Sequence, residues 1–520
     1  MTRLLQKYRA RTFDVTSDQG GREVGGSARV IIVGSGFAGI GLAHQLKRAG
    51  IHDLLILERN DDVGGVWKST TYPGCTCDVP SHLYSFSFAP NPEWTSTYSP
   101  QAEIRAYLKS CTERFGLGGH LRLGVEMRDA AWDESTQRWR VNTSDGEYDA
   151  QVLVSAVGPL TEPVFPEVPG IETFQGKLIH SARWDHAYDL SGKVVASIGS
   201  GASAVQYVPE IADHVGRLFV LQRTAPWIMP HPKRAISDRE RALYRRLPLA
   251  QKAVRAGVYT AKEALVLGFV KRPALMNRLA TVAKAHLAHQ IHDPELRSRL
   301  TPDYTLGCKR LVPSNRWYPA LQKPNVELVS SALAEVRPHS VVDRDGVERK
   351  VDAIIFGTGY HVTDLPVATQ LRGRDGSTLA EHWASSPRAY LGTAVPGFPN
   401  LFLMLGPNTG LGHSSMVYMI EAQAIHIRNQ LTAMDRTGAT TIEVDQRAHD
   451  SYNRELDRKM STTVWQVGGC RSFYLDATGR NATLWPDWTW RFRRLAARRT
   501  STAYHLSAAG SRPHIAESAR

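Results

Sequence analysis

The hydrophobic pattern of this chain repeats one strand–turn–helix unit twice. Short apolar runs rich in β-branched residues occupy residues 29–33 and 193–198. Each run is followed by a glycine-rich turn and then by apolar residues at helical spacing, over residues 40–49 and up to Ala212. Continuous apolar runs of this length are typical of buried parallel strands, and such turns bring backbone N–H groups to a helix N-terminus. The pattern therefore predicts an α/β fold with two Rossmann-like units.

Both turns follow the glycine order of dinucleotide-binding sites. The first consists of Gly34, Ser35, Gly36, Phe37, Ala38 and Gly39, and the second of Gly199, Ser200, Gly201, Ala202, Ser203 and Ala204. A charged residue follows the first glycine of each turn by 24 positions, Glu58 in one unit and Arg223 in the other. A carboxylate at this position accepts hydrogen bonds from an adenosine ribose, whereas a guanidinium pairs with a 2′-phosphate. We therefore predict FAD in the first unit and NADPH in the second, where residues 200–204 would contact the pyrophosphate.

Three further apolar runs, residues 150–156, 351–356 and 397–405, predict buried strands. The first two end at glycines, where we expect the chain to pass from one domain to the other. The predicted fold is two dinucleotide-binding domains with a helical insertion in the NADP domain. Its parts are an N-terminal flexible tail (1–27), a discontinuous FAD-binding domain (28–159 and 385–500), an NADP-binding domain (160–232 and 300–384), a basic helical insertion (233–299) and a C-terminal tail (501–520).

Composition narrows the class of protein. The chain of 520 residues is 42% hydrophobic and 22% charged, and residues 1–13 lack the pattern of a secretory signal, so we expect a soluble globular protein of the cytoplasm. Five cysteines, an odd number, predict reduced thiols. Cys75 and Cys77 have no second pair nearby, so no metal site is expected. The first turn also lacks the adjacent cysteine pair of a flavin disulfide reductase.

The net charge of +13 is concentrated in the insertion, where fifteen Lys and Arg stand against five Asp and Glu over residues 233–299. We favour a solvated basic surface there. The alternative is weak contact with an anionic membrane surface or an acidic carrier. No motif supports binding to nucleic acid.

A signature lies between the two turns. Its fixed positions are Phe174, Gly176, His180, Trp184 and Asp185. This spacing resembles the signature of type I Baeyer–Villiger monooxygenases, which are class B flavin-dependent monooxygenases, and the resemblance covers roughly residues 28–495. It implies oxidation of a ketone or aldehyde to an ester or lactone with NADPH and O2, through a C4a-peroxyflavin. In this family the segment couples the domains, so we expect His180 to be structural and not a proton carrier.

The resemblance also implies residue roles. The predicted flavin contacts outside the first turn are Glu58, Gly65, Val66, Trp67, Asp78, Tyr84, Met127 and Met416. Residues 307–310 resemble the stretch that holds the active-site arginine, so Arg310 is the predicted catalytic residue and Asp78 its partner. A permanently charged donor favours the peroxide anion and the negative intermediate that follows. The predicted grip on the 2′-phosphate consists of Arg223, Thr224 and Lys309.

Some assignments stay open at this stage. Trp465 lies in a segment that resembles a substrate-side loop, and it serves either as a cover of the active site or as a packing aromatic residue. An N- or S-oxygenating flavin monooxygenase shares both nucleotide sites, and a flavin protein that uses NADPH without oxygenation is a third hypothesis. Trp184, Asp185 and Arg310 favour the Baeyer–Villiger reaction. Lys68 and Ser69 depart from several relatives, so the ketone is not predicted.

Overall fold

The computed structural model describes residues 25–498 and 501–508. In this part of the chain the strands are β1 Gly26–Val33, β2 Leu54–Glu58, β3 Leu121–Leu123, β4 Met127–Asp133, β5 Arg138–Thr143, β6 Gly146–Ser155, β7 Lys177–His180, β8 Val194–Ile198, β9 Arg217–Leu221, β10 Ile228–Met229, β11 Val312–Pro313, β12 Val326–Val329, β13 Leu333–Arg337, β14 Ser340–Asp343, β15 Glu348–Lys350, β16 Ala353–Phe356, β17 Leu371–Arg372, β18 Leu401–Leu403, β19 Thr441–Val444 and β20 Tyr504–Ser507.

The α-helices of the same part are α1 Phe37–Arg48, α2 Val66–Ser69, α3 Gln101–Arg114, α4 Ala202–Ile211, α5 Asp238–Arg246, α6 Pro248–Ala264, α7 Met276–Gln290, α8 Pro294–Arg299, α9 Trp317–Leu321, α10 Leu379–Trp383, α11 Met416–Thr437, α12 Gln446–Met460, α13 Val464–Val467 and α14 Thr489–Ala497. A π-helical turn, Leu267–Lys271, follows α6. None of these helices has the length and apolar character needed to cross a membrane.

The first unit is built on an eight-stranded sheet. Its order is β17-β4-β5-β6-β1-β2-β3, and β18 pairs with the C-terminal half of β6. β1 is parallel to both β2 and β6, so the turn after β1 opens at the carboxyl edge of parallel strands. Helix α11 packs against α1 in the main core cluster, where Leu42 and Ile420 are buried. Segments from both ends of the chain therefore complete this unit.

The second unit is a five-stranded parallel sheet of order β12-β9-β8-β16-β7. β8, α4 and β9 form the second strand–turn–helix repeat, and β16 lies between β8 and β7. The three-stranded antiparallel sheet β13-β14-β15 connects β12 to β16. The prediction of an α/β fold with two Rossmann-like units is confirmed.

The basic insertion packs on the first unit. On α6, Arg255 donates from Nη1 to the carbonyls of His82 and Ser85, at 2.6 and 2.9 Å. Gln251 Nε2 donates to the carbonyl of Asn91 at 2.6 Å. The inner face of α6 is therefore bound to the segment that follows Asp78, whereas Arg246 on α5 and Lys252 on α6 are exposed.

Three predicted boundaries differ from the structure. Gly26 already begins β1, and the remainder of the predicted tail, up to residue 24, lies outside the described residues. Residues 366–383, expected in the second unit, join the first, because β17 pairs with β4 and Trp383 packs in the core behind that strand. Residues 504–507, expected in a tail, form β20 beside β19. Residues 499–500 and 509–520 lie outside the described part.

The prediction of five reduced thiols is wrong. Cys308 and Cys470 are joined by a disulfide with their Cα atoms 6.1 Å apart. These residues are 162 positions apart in sequence, so no local spacing pattern indicates the pair. Cys75, Cys77 and Cys111 are free.

Candidate active site

The first turn forms a cradle of bare backbone at the N-terminus of α1. A Cβ atom on Gly65 would lie 2.9 Å from the Cα of Gly36, so Gly65 has no room for a side chain, and its positive φ of 55° also favours glycine. Gly36 caps α1 without a side-chain hydrogen bond, which leaves N–H groups of the first helical turn for an external acceptor. Such a surface fits a pyrophosphate. The corresponding Gly201 caps α4 in the same manner, so both turns fit the dinucleotides predicted for them.

Glu58 is buried, and its carboxylate accepts hydrogen bonds within the first unit. Oε2 accepts from the backbone N–H and the hydroxyl of Ser35, at 2.9 and 2.7 Å. Oε1 accepts from the backbone N–H and the side-chain amide of Asn60, at 2.9 and 2.6 Å. A carboxylate has about four acceptor sites, so a ribose hydroxyl would replace one of these side-chain donors. Glu58 therefore also binds the first glycine-rich turn, through Ser35, to the end of β2.

An aromatic cluster follows the cradle. Trp67, on α2 together with Val66, donates from Nε1 to the Tyr84 hydroxyl at 3.2 Å. Phe37 packs edge-to-face on Tyr84 with ring centroids 5.1 Å apart. The predicted flavin contacts of this region therefore lie together. Burial raises the pKa of Tyr84 well above its usual range, so its phenol stays protonated.

Asp78 and Arg310 form the ion pair at the centre of the site. Arg310 donates from Nε and Nη2 to the two carboxylate oxygens of Asp78, at 2.6 and 2.7 Å. Their side chains are 32% and 22% exposed. The Asp78 carboxylate raises the pKa of Arg310 above its usual range. Burial opposes charge on Asp78, but the guanidinium outweighs it and holds the pKa of that carboxyl below its ordinary value. Both groups are therefore charged near pH 7.

Four further residues, none of them predicted as a site residue, surround this pair. Tyr474 is buried, and its phenol interacts electrostatically with Arg310. Lys262 on α6 feels the charges of both Asp78 and Arg310, and burial lowers its pKa. Tyr98 and His231 face each other with ring centroids 4.6 Å apart, and burial lowers the pKa of the imidazole to about 4. Tyr474 belongs to a stretch that resembles a substrate-side loop. Only folding brings Lys262, Tyr98 and His231 here, so the local sequence gives no signal for them.

The end of β9 carries a cluster of positive charge. Burial and the neighbouring Arg223 guanidinium lower the pKa of Lys309. The Lys309 ammonium lies 4.7 Å from the centre of the Tyr304 ring. Ser200 donates a hydrogen bond from its hydroxyl to the carbonyl of Thr224, at 3.2 Å. Two cations held near each other and near the second turn fit a 2′-phosphate, because an anion between them would relieve their repulsion.

His180 lies where β7 ends, fully buried. Its Nδ1 accepts from the backbone N–H of Ala182 at 3.0 Å, and its Nε2 lies 3.4 Å from the hydroxyl of Thr358, just after β16. Burial lowers the pKa of the imidazole to about 4, so it is neutral near pH 7. These contacts favour a role in holding the segment between the two units.

The other signature residues pack around the same junction. A Cβ on Gly176 would lie 2.3 Å from the carbonyl oxygen of Asp352, so only glycine fits there. Phe174 packs on the core of the second sheet. The Trp184 ring lies 5.5 Å from that of Tyr207 on α4. Asp185 forms an ion pair with Lys177.

Three other predicted residues have different surroundings. Met127 is buried in the core behind the first sheet, among apolar residues that include Leu57. Met416 begins α11 and lines a cavity with Thr409 and Pro159, near the crossing between the units. Trp465 is fully buried, 5.7 Å from the Phe269 ring, which favours a packing aromatic residue over an exposed cover.

Comparisons with known proteins agree with this geometry. A protein-family model described as pyridine nucleotide-disulphide oxidoreductase matches residues 31–251. A Baeyer–Villiger monooxygenase of Streptomyces coelicolor is 49% identical over 92% of this chain and 92% of its own length. The crystal structure of cyclohexanone monooxygenase from Rhodococcus sp. Phi1 bound to NADP+ has a TM-score of 0.83 and 26% identity, and covers 93% of this chain and 99% of the other. OTEMO in complex with FAD and NADP has a TM-score of 0.82 at 25% identity, over 92% and 99% of the two chains.

A two-unit nucleotide fold with an arginine–aspartate pair between the units defines a class of flavin-dependent oxidoreductase. The chain belongs to the Baeyer–Villiger monooxygenase family. The predicted enzyme class and reaction, and the predicted pair of cofactors, FAD and NADP, are thereby confirmed. The comparisons assign no individual residue a role.

Proposed function

We propose that this chain oxidises a ketone or an aldehyde to an ester or lactone, with the Asp78–Arg310 pair at the centre of its active site. The observation that carries the proposal is this partly buried, doubly bonded ion pair. It lies beside the first unit's aromatic cluster, since Tyr84 feels the charges of both partners. FAD, when bound, would supply the reactive oxygen atom, taken from O2 with electrons from NADPH.

Arg310 is proposed to stabilise negative charge on the reacting oxygen atoms. A guanidinium has five N–H donors. Asp78 accepts from Nε and Nη2, Nη1 lies 3.4 Å from the carbonyl of Leu411, and the Tyr474 phenol lies beside the guanidinium. Donors therefore remain for a substrate oxygen. Asp78 fixes the plane of the guanidinium, so the charge is in place before the reaction and costs no reorganisation.

The cofactor-holding residues follow from the two cradles. Gly36 and Gly65 would let the FAD pyrophosphate approach the backbone, and Glu58 would accept from the ribose. In the second unit, the N-terminus of α4 would bind the NADP pyrophosphate, while Arg223 and Lys309 would hold the 2′-phosphate. Thr224 is proposed to add a hydroxyl to that grip.

The test uses the purified protein with FAD, NADPH, labelled ¹⁸O2 and a panel of cyclic and linear ketones and aldehydes. We expect an ester or lactone that carries one labelled oxygen, with NADPH consumed in proportion. Sulfoxides or N-oxides from added thioethers and amines, without any ester, would favour the N- or S-oxygenating alternative. NADPH oxidation that yields only hydrogen peroxide would contradict the proposed role of the pair.

We also propose that the junction between α5 and α6 makes weak contact with an anionic membrane surface. Leu243, Leu247 and Leu249 are 48%, 50% and 68% exposed there, and the basic residues Arg246 and Lys252 are exposed beside them. Exposed leucines flanked by cations suit the boundary between lipid headgroups and acyl chains. An acidic carrier is the other candidate partner.

Co-sedimentation with vesicles tests this contact. Binding to vesicles rich in phosphatidylserine at low salt, loss at high salt, and loss in Leu249→Glu are expected. Val347→Glu, at an exposed apolar position outside the insertion, is the matched control. If the same amount of protein sediments with and without vesicles, the proposed membrane contact is wrong and the α5–α6 junction is a solvated surface. As compartment we propose the cytoplasm, where NADPH is kept reduced, and fractionation of cells tests it.

A further inference from the structure

The Cys308–Cys470 disulfide links the two segments that meet at Arg310. Cys308 is fully buried and lies two positions before Arg310, in the segment 307–310, which we call the arginine segment. Cys470 belongs to residues 468–474, which we call the 468–474 loop, and this loop ends at Tyr474 beside Arg310. The covalent bond therefore joins the proposed catalytic segment to a loop that lines the same site.

Apart from the interaction of the buried Tyr474 with Arg310, few other contacts hold the 468–474 loop to this segment. The Gly468 carbonyl accepts from the backbone N–H of Thr305 at 3.0 Å. A Cβ on Gly468 would lie 2.7 Å from the Cβ of Cys308, so the loop backbone packs directly on the disulfide. Beyond Gly468 the loop contains no helix or strand, and its hydrogen bonds at Ser472 are internal. Arg471 and Phe473 are exposed.

The loop has a defined place at both ends. Before it, Trp465 is fixed by packing on Phe269 and on the backbone of Gly412. After it, Asp476 accepts from the hydroxyl of Ser386, 90 positions earlier in the chain, at 2.8 Å. The disulfide sits between these anchors. Its loss would free the middle of the loop while leaving the anchors intact.

We propose that the Cys308–Cys470 disulfide is a positioning link for the oxygenation reaction, which holds the 468–474 loop over Arg310. Its reduction lowers the amount of ester formed per NADPH oxidised. A dithiol reagent gives two electrons and two protons: the S–S bond of the protein breaks, Cys308 and Cys470 become thiols, and the reagent closes its own S–S bond. A loosened loop admits water to the site. With water present, the oxygen that bound FAD would supply is released as hydrogen peroxide and is not transferred to the ketone.

The first measurement counts thiols by mass. Protein denatured without a reductant should take up alkylating reagent at the three free cysteines, and at all five cysteines after reduction. Five alkylated cysteines in unreduced protein, even after incubation with an oxidised dithiol, would show that the link does not form, and the proposal would fail.

The second measurement is limited trypsin digestion after the exposed Arg471. Reduced enzyme and Cys470→Ser should be cut there at least about tenfold faster than oxidised enzyme, because the loop opens locally. Reductant should have no further effect on Cys470→Ser. Cys111→Ser, a free cysteine on α3, is the matched control and should behave as the parent does.

The third measurement is the ratio of ester to NADPH, which rests on the proposed function. It should fall at least about twofold on reduction of the parent and in Cys470→Ser, with FAD content unchanged. Chemical reduction of the parent keeps the test decisive if the variant folds poorly. Equal ratios for oxidised and reduced enzyme overturn the proposal. Absence of ester from every sample overturns the proposed function instead, since thiol counting and digestion still report on the link.

Discussion

Arg310 and Asp78 are 232 positions apart, yet the predicted partnership between them is present in the structure. Both positions lie in motif-bearing segments, so the family resemblance could supply the pair. Tyr474 lies near the same pair, in a stretch that resembles a substrate-side loop, but was not itself predicted as a site residue. Lys262 interacts electrostatically with the pair from a helix without such a motif. The role of Lys262 depends only on the fold, which leaves no pattern in the local sequence, and for this reason it was not predicted.

Arg310→Ala should abolish most ester formation. Removing one positioned donor of this kind typically costs about 10²–10³-fold in rate. FAD content should not change, because the first unit's cradle and Glu58 lie in other segments. The quantity to measure is the ratio of ester formed to NADPH consumed, with the exposed Arg337→Ala as control. A ratio equal to the parent's would remove Arg310 from the oxygenation step.

Arg223→Ala should narrow the preference for NADPH over NADH. Losing one charge-assisted contact to the 2′-phosphate costs about 1.5–3 kcal/mol, or roughly ten- to a hundredfold in affinity. Titration of each nucleotide against the protein measures this without turnover. Arg217→Ala, at the other end of β9 and paired with Glu327, is the control. Equal affinity of the parent for both nucleotides would contradict the assignment.

Among the elements, α11 connects the first unit to the C-terminal part of the chain. His426 on this helix is fully enclosed: its Nε2 lies 2.7 Å from the Tyr504 hydroxyl of β20, and its Nδ1 lies 3.2 Å from the carbonyl of Ala496 on α14. Burial lowers the pKa of His426 from 6.5 to about 4. One imidazole thereby joins three elements and also makes the joint sensitive to acid.

We expect the free energy of unfolding to fall as the pH drops from 6.5 towards 4. The unfolded chain takes up a proton on His426 in this range, whereas the folded chain does not, so protons favour unfolding. At pH 5 the loss from this residue is about 2 kcal/mol. Urea unfolding at pH 7 and pH 5 measures it. His426→Gln should reduce the difference between the two pH values, and the exposed His52→Gln should not.

The elements predicted from sequence are those with strong local patterns. β1, α1, β8 and α4 follow from apolar runs and glycine turns alone. β17 has two residues and β20 has four, and each exists because a neighbouring strand offers a free edge. A pairing that depends on a partner far along the chain cannot be deduced from so short a segment, and the predicted domain boundaries near them are displaced for that reason.

At the scale of the whole molecule, Gln206 links the two units by hydrogen bonds. Its side-chain carbonyl accepts from the Tyr72 hydroxyl at 2.8 Å and from the Thr76 backbone N–H at 3.2 Å, and its amide donates to the Thr76 carbonyl at 2.9 Å. Gln206 lies on α4, whereas Tyr72 and Thr76 precede Asp78. The helix that begins at the second cradle thus also fixes the segment that carries Asp78.

Gln206→Ala should lower the free energy of unfolding by about 1–3 kcal/mol, because it leaves the backbone groups of Thr76 without their partner. Denaturant unfolding followed by tryptophan fluorescence measures the change. The matched control is Gln446→Ala, at the start of α12, where the exposed side chain donates to the carboxylate of Asp450. A loss no larger than that of the control would show that solvent replaces Gln206 without cost.

The two sheets differ in how much of the chain they require. All five strands of the second sheet lie between residues 177 and 356. The first sheet is complete only when β18 has been synthesised, and α1 is covered only by α11, which ends at residue 437. A ribosome adds about 5–20 residues per second. One nucleotide unit is therefore complete roughly 4 to 16 s before the other. Throughout that interval the nascent protein carries a finished domain beside an unfinished one, and the apolar face of α1 is what a chaperone would meet.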